Sequence, residues 1–165
     1  GTYSPPSTMP VMVVAGPGWE TPHGRGLLSL IEADPRLQAH VLTTGMLSGD
    51  AKWGALYGCD AFVLPSHQEN FGVAVAEALS CGRPALLGRG VNIHTTVTHM
   101  RGGLSCGPER AEVARMLAGW LSLEGAERSR MSGAALRTWR EHFTTRAAAC
   151  RLLGAVFPGV IPHGA

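Results

Sequence analysis

The string "PSHQENFGVAVAEALSCGRP", Pro65 to Pro84, sets two carboxylates, Glu69 and Glu77, eight residues apart with no basic residue between them. The intervening residues are small and apolar, apart from Asn70 and from Phe71 ahead of Gly72. Carboxylates without a neighbouring cation suit a ligand rich in hydroxyls, because they accept strong hydrogen bonds from them. Taken alone, two acids at this spacing are a weak signal and are usually two solvated surface residues. The elements that position them decide between the two readings.

Short apolar runs recur along the chain with room for a helix between them. They are "VMVVAG" (Val11–Gly16), "HVLTTG" (His40–Gly45), "AFVLPS" (Ala61–Ser66), "PALLG" (Pro84–Gly88) and "GGLSC" (Gly102–Cys106). The runs are continuous more than alternating, as expected of strands covered on both faces. Most end in Gly, Pro or Ser, the punctuation of a strand-to-loop turn. Helical patterns fill the gaps. "GRGLLSLIEADPRL" puts Leu27, Leu28 and Ile31 on one face. "SGDAKWGALYGCD" offers Ser48 as N-cap, with Asp50 in the first turn, where a carboxylate suits the helix dipole. "NFGVAVAEALSCG" ends at Gly82, a C′ residue. The segment from Pro108 to Phe157 reads as two or three amphipathic helices. Strand–helix alternation predicts an α/β fold, a Rossmann-like, doubly wound parallel sheet of about five strands.

The window "VAVAE" alternates like a strand, but it lies between two parallel neighbours, which need a crossover, and its alanines favour helix. Pro65–Asn70 is then a loop at the carboxyl end of a strand, the edge where open α/β sheets bind ligands. A helix begins at Asn70–Gly72, and its backbone N–H groups make an anion site suited to a diphosphate. Glu69 sits beside that site, and Glu77 lies about a turn and a half down the helix. On this reading the two carboxylates hold two sugars flanking a diphosphate, which is the shape of a nucleotide-sugar.

Composition narrows the classes. The chain has 165 residues with 45% hydrophobic and 16% charged, enough for one domain with a real core. A formal net charge of +2 gives no global field directed at nucleic acid, and membrane contact is expected to be peripheral at most. No apolar run reaches the ~20 residues of a membrane helix, and no signal-peptide pattern opens the chain. The four cysteines, Cys59, Cys81, Cys106 and Cys150, include no CxxC pair and no zinc-finger spacing. Free thiols in a reducing cytoplasm are the expectation, with no metal site. A single lysine against thirteen arginines hints at a GC-rich bacterial genome.

Several other residues have both a chemical and a plain reading. "GPG" (Gly16–Gly18) lacks dinucleotide or P-loop spacing and reads as a tight strand-to-helix turn. Lys52 and Trp53 could edge a base pocket, but a solvated lysine and a packing tryptophan are the simpler account. His67 shares the loop with Glu69 and could touch phosphate or acceptor. Arg89, at a strand end, could approach a diphosphate. His94 and His99 read as structural or exposed, and Trp120 and Trp139 as packing residues.

The stretch "TGMLSGDAKWGALYGCDAFVLPSHQENFGVAVAEALSCGRPALL", Thr44 to Leu87, resembles the family 4 glycosyltransferases of the GT-B fold, in their carboxyl-terminal donor-binding domain. Weaker similarity runs from "VMVVAGPG" to "EHFTTRAAACRLL". The resemblance implies that Glu77 binds the nucleotide ribose and that Glu69, the candidate catalytic residue, contacts hydroxyls of the transferred sugar. Backbone groups of Asn70, Phe71, Gly72 and Val73 would hold sugar and diphosphate. Gly45, Met46 and Leu47 would pass along the base. The implied reaction is transfer of a hexose from a nucleotide-diphosphate donor to an acceptor hydroxyl, with retention and without a metal or other cofactor.

The pattern also departs from the family. The usual first strand, ending in Gly-Arg with a following Lys, has no counterpart before Val11, and threonines replace an acidic residue within "GRGVNIHTTVTHMRGG". The expected organisation is an irregular leader over 1–10, one donor-binding domain over 11–157, and a tail over 158–165. Without the first strand, the strands at Val11–Gly16 and Ala61–Ser66 either pair directly, in the order 2-1-3-4-5, or leave a slot that something must fill. The expectation is a donor-binding domain that is inactive without a separate acceptor-binding domain or chain. The alternatives are a non-catalytic nucleotide-sugar binding module or degenerate fragment, and a nucleotide-sugar epimerase of the same fold.

Overall fold

The computed structural model describes residues 9–157. The leader and tail expected at the two ends lie outside these residues, apart from Met9 and Pro10. Five strands form where the apolar runs predicted them: β1 (Met12–Ala15), β2 (Val41–Gly45), β3 (Phe62–Leu64), β4 (Ala85–Gly88) and β5 (Gly103–Cys106). All their pairings are parallel. They form a two-stranded sheet, β1-β2, and a three-stranded sheet, β3-β4-β5. The continuous order 2-1-3-4-5 is therefore not what the strands adopt. β1 and β3 fall in different compact units, Gly1–Ala55 and Leu56–Ala165.

In the first unit, α1 (Pro22–Ala33) and α2 (Pro35–His40) connect β1 to β2. The sequence pattern ran as one helix over this stretch, but it breaks at Asp34-Pro35. Asp34 ends α1 and caps α2, accepting the Arg36 N–H at 2.9 Å. Proline fits the first helical position, where its missing N–H costs nothing. "GPG" is the expected turn. Gly18 O accepts from both the backbone and the hydroxyl of Thr21, and Gly24 packs so closely on Gly18 O that a Cβ would lie 2.1 Å from it. The four residues of β1 are all exposed. The expectation that continuous apolar strands are covered on both faces fails here: among the described residues, α1 and α2 are the two helices that lie wholly within this unit.

The same expectation holds in the second unit, where all of β4 is buried. Successive side chains point to opposite faces. Ala85 and Leu87 join Val75, Leu79, Val91, Val97 and Ala135 in one core cluster. Leu86 joins Cys106, Met116 and Trp120 in another. Burying a leucine fully is worth about 1.5–3 kcal/mol, so Leu79, Leu86 and Leu87 anchor this unit. The first cluster is built from α4 (Val73–Ser80), α5 (His94–His99) and α7 (Gly125–Thr138), and the second from α6 (Arg110–Ser122). The helix α3 (Gly49–Gly58) spans the boundary between units. A π-helical turn, Trp139–Phe143, and α8 (Thr145–Val156) follow α7.

α4 stops where predicted. Gly82 takes φ +69°, its N–H reaching Leu79 O and the Arg83 N–H reaching Ala78 O, both at 2.9 Å. All four cysteines are free thiols. Burial pushes the Cys59 and Cys106 thiols up, which lowers their thiolate fraction at neutral pH. In the native chain both are expected to alkylate far more slowly with iodoacetamide than in denaturant, as read by peptide mass spectrometry.

Candidate functional site

The expected site residues of the second unit gather at the carboxyl edge of its sheet. The loop after β3 lies against the loop after β4. Glu69 pairs with Val91 as an isolated parallel bridge. Its N–H donates to Gly90 O at 3.0 Å, and its carbonyl accepts the Asn92 N–H at 3.1 Å. Two glycines permit this approach. A Cβ on Gly88 would lie 2.5 Å from Ser66 O, and one on Gly90 would lie 2.0 Å from His67 O.

The loop then turns into α4 through Gly72, whose φ of +70° is left-handed and costs glycine nothing. One carboxylate oxygen of Glu69, Oε1, accepts the Gly72 N–H at 3.2 Å. The Val73 and Ala74 N–H groups are the first of the helix and have no intrahelical acceptor. They point out at the helix start with the positive end of its dipole. Glu77 follows Val73 by four residues and shares its face of the helix. It is half-buried, whereas Asn70, Phe71 and Val73 are exposed.

Glu69 thus helps to build the loop as well as line it. Glu69→Ala is expected to destabilise the fold by about 0.5–2 kcal/mol, the usual value of a side chain that satisfies a helix-start N–H. Glu69→Gln keeps an acceptor oxygen and should lose less. Urea denaturation of the two variants measures the difference.

The sequence reading missed two contributors. The ring of Phe143, in the π-helical turn, meets the Phe71 ring edge-on, with centroids 5.9 Å apart and an interplanar angle of 85°. Nothing local in the sequence marks a contact between residues so far apart. The second contributor is Gly90, for which the alternation Gly88-Arg89-Gly90 just after a strand was the available signal. Arg89 itself is exposed between these glycines. His67 is also exposed, and His94 opens α5 with its Nδ1 buried and unpartnered.

Gly45, Met46 and Leu47 lie in the first unit, at the carboxyl end of β2. Gly45 takes φ +69°, and its carbonyl accepts the Gly16 N–H at 2.8 Å, joining the ends of β1 and β2. Met46 is 69% exposed. Trp53 is 37% exposed, and the Lys52 ammonium lies 4.6 Å from its ring centre. Trp120 is buried as expected. Among the described residues no helix is long and apolar enough to cross a membrane.

A family model described as "Glycosyl transferases group 1" matches residues 10–138. Among solved structures, Anabaena HepE in complex with UDP matches with a TM-score of 0.73 at 17% identity, covering 89% of this chain and 40% of that one. Sucrose-phosphate synthase from Thermosynechococcus elongatus matches with a TM-score of 0.70 at 20% identity, covering 87% of this chain and 37% of that one. The C-terminal domain of the group 1 family protein LpcC from Francisella tularensis matches at 0.65 and 15% identity, over 76% of this chain and 65% of that one. At these identities the likeness is one of fold. The chain spans 37–40% of the length of the first two. No curated protein matches the sequence.

Proposed function

This chain belongs to the group 1 glycosyl transferases, and on that premise we propose that it is a donor-binding unit for a nucleotide-diphosphate sugar. The transfer it serves is that of a hexose to an acceptor hydroxyl with retention, as in family 4 enzymes. The single observation that carries the reading is the start of α4. There, left-handed Gly72 leaves the Val73 and Ala74 N–H groups without intrahelical acceptors, beside the loop that carries Glu69 and one helical turn ahead of Glu77. A diphosphate supplies the missing acceptors.

In this reading Glu77 accepts from the ribose hydroxyls. Glu69 keeps its Oε1 on the Gly72 N–H and offers Oε2 to a hydroxyl of the transferred sugar. Backbone groups of Asn70 to Val73 hold the diphosphate and sugar. HepE has been captured with UDP and with UDP-glucose, which supports a donor of this class. Transfer also needs a surface that presents the acceptor. We assign that surface to a domain or chain beyond these residues, so that these residues alone transfer no sugar. The four free thiols accord with a place in the cytoplasm.

Calorimetric titration with UDP-, GDP- and ADP-sugars tests the proposal. One nucleotide class should bind saturably and the other two much more weakly. A folded chain that takes up none of the three would rule the donor site out.

A further inference from the structure

A cavity lies at the opposite edge of the three-stranded sheet, where its strands begin. Asp60 precedes β3 and Arg83 precedes β4. With Trp120 of α6 and Arg128, Ser129 and Ser132 of α7, they line a cavity of about 310 Å³. That volume falls within the range of small-molecule clefts, about 300–1,000 Å³.

Both arginines are held in place by main-chain carbonyls. Arg83 donates from Nε to Cys81 O at 3.1 Å and from Nη1 to Cys59 O at 3.0 Å. Two of its five N–H donors are spent and three remain. Arg128 donates from Nη2 to Leu121 O at 2.8 Å, and its guanidinium carbon lies 5.2 Å from the centre of the Trp120 ring. Its Nε is buried and has no partner. Among the described residues neither guanidinium is paired with a carboxylate. The cavity therefore presents two fixed cations with unspent donors, against one carboxylate, Asp60.

Such an arrangement is preorganised for an oxyanion. Guanidinium groups bind phosphate through paired N–H donors, and little side-chain freedom is left here to lose. A phosphate monoester has three terminal oxygens to share between the two arginines. Asp60 disfavours a bare anion but accepts from a hydroxyl, and Ser129 and Ser132 can donate or accept. We propose that this cavity binds the phosphate monoester of a small polyhydroxylated molecule, a hexose phosphate being the size and chemistry it suits. The site is separate from the loops at the carboxyl edge and does not depend on the donor reading.

The test is a titration of the isotopically labelled chain followed by amide NMR, with glucose 6-phosphate, inorganic phosphate and glucose as probes. Glucose 6-phosphate should shift the amides of Asp60, Arg83, Arg128, Ser129 and Ser132 saturably, inorganic phosphate should shift the same amides more weakly, and glucose should leave them in place. Arg128→Gln should weaken the ester about tenfold or more, the usual loss for one charge-assisted hydrogen bond. Ser129→Tyr, a change at an exposed helix position, should block it sterically while the spectrum stays folded. The proposal is overturned if these amides show no saturable shift up to about 10 mM ester, an affinity too weak to be a site. It is equally overturned if the shifts gather only at residues 66–73 and 88–90, or if both variants fold and bind as the parent does.

Discussion

Gly90→Ala is expected to cost about 3 kcal/mol or more of folding stability and to remove nucleotide-sugar binding with it. The added Cβ would lie 2.0 Å from His67 O and 2.4 Å from His67 C. Both are backbone atoms, so no side chain can swing aside to relieve the clash. The two loops would have to separate, and the hydrogen bond from Glu69 N to Gly90 O would go with them. That bond and its neighbour from Asn92 N set where Glu69 stands, so the site moves as the loop moves. The fold below has little room to give, since Leu87 and Val91 on either side are fully buried. A control separates this clash from the general effect of adding a methyl group. Gly119 lies inside α6 with open space around it. Gly119→Ala should raise stability by up to about 1 kcal/mol, the helix-propensity gain. Urea midpoints for the two variants should move in opposite directions. A Gly90→Ala variant as stable as the parent would mean that the loops do not touch in this way.

Glu77→Gln should lower nucleotide-sugar affinity by about 10- to 100-fold while the chain stays folded. A hydrogen bond to a charged group is worth about 1.5–3 kcal/mol, and the amide keeps the shape and one acceptor oxygen but loses the charge. Glu77 is half-buried on the outer side of a helix whose other residues Val75, Ala78 and Leu79 are fully buried. The helix is therefore anchored by residues that the substitution leaves alone. Calorimetry measures the affinity, and a urea curve on the same sample separates lost binding from lost folding. Undiminished affinity in a folded variant would remove Glu77 from the ribose and leave the helix start as the whole of the donor site. The two predictions differ in kind. Gly90→Ala should change stability and binding together, whereas Glu77→Gln should change binding more than stability.

The order of elements was legible because it rests on short-range chemistry. Most strands are continuous apolar runs closed by a turn residue, and each observed strand lies inside the run that predicted it. Gly82 was legible as a helix end because only a left-handed residue can close that turn cheaply. The break between α1 and α2 was written in Asp34-Pro35, a cap followed by a first-position proline. The helical pattern alone passed over it. The grouping of Glu69, Asn70, Phe71, Gly72, Val73 and Glu77 was legible too, since they are contiguous and need only one loop and one helix to place them.

Other features depend on what the chain meets far along its own length. α5 is spelled "HTTVTH", with three threonines and a valine that favour strands. It is helical because Val97 is fully buried against the core, which outweighs weak local preference. The exposure of β1 and the burial of β4 follow from which helices cover them, although the two strands read alike. The edge-on contact of Phe71 with Phe143, the approach of Gly90 to His67 and the meeting of Arg83 with Arg128 join residues distant in sequence. The sequence by itself determined the strands, most of the helices and the local chemistry of the loop from Glu69 to Glu77, because hydrogen bonding and periodicity act over a few residues. The tertiary structure alone decided which loops touch, which strand faces are covered and which cations share a cavity. Those depend on close packing between segments, which no local pattern encodes.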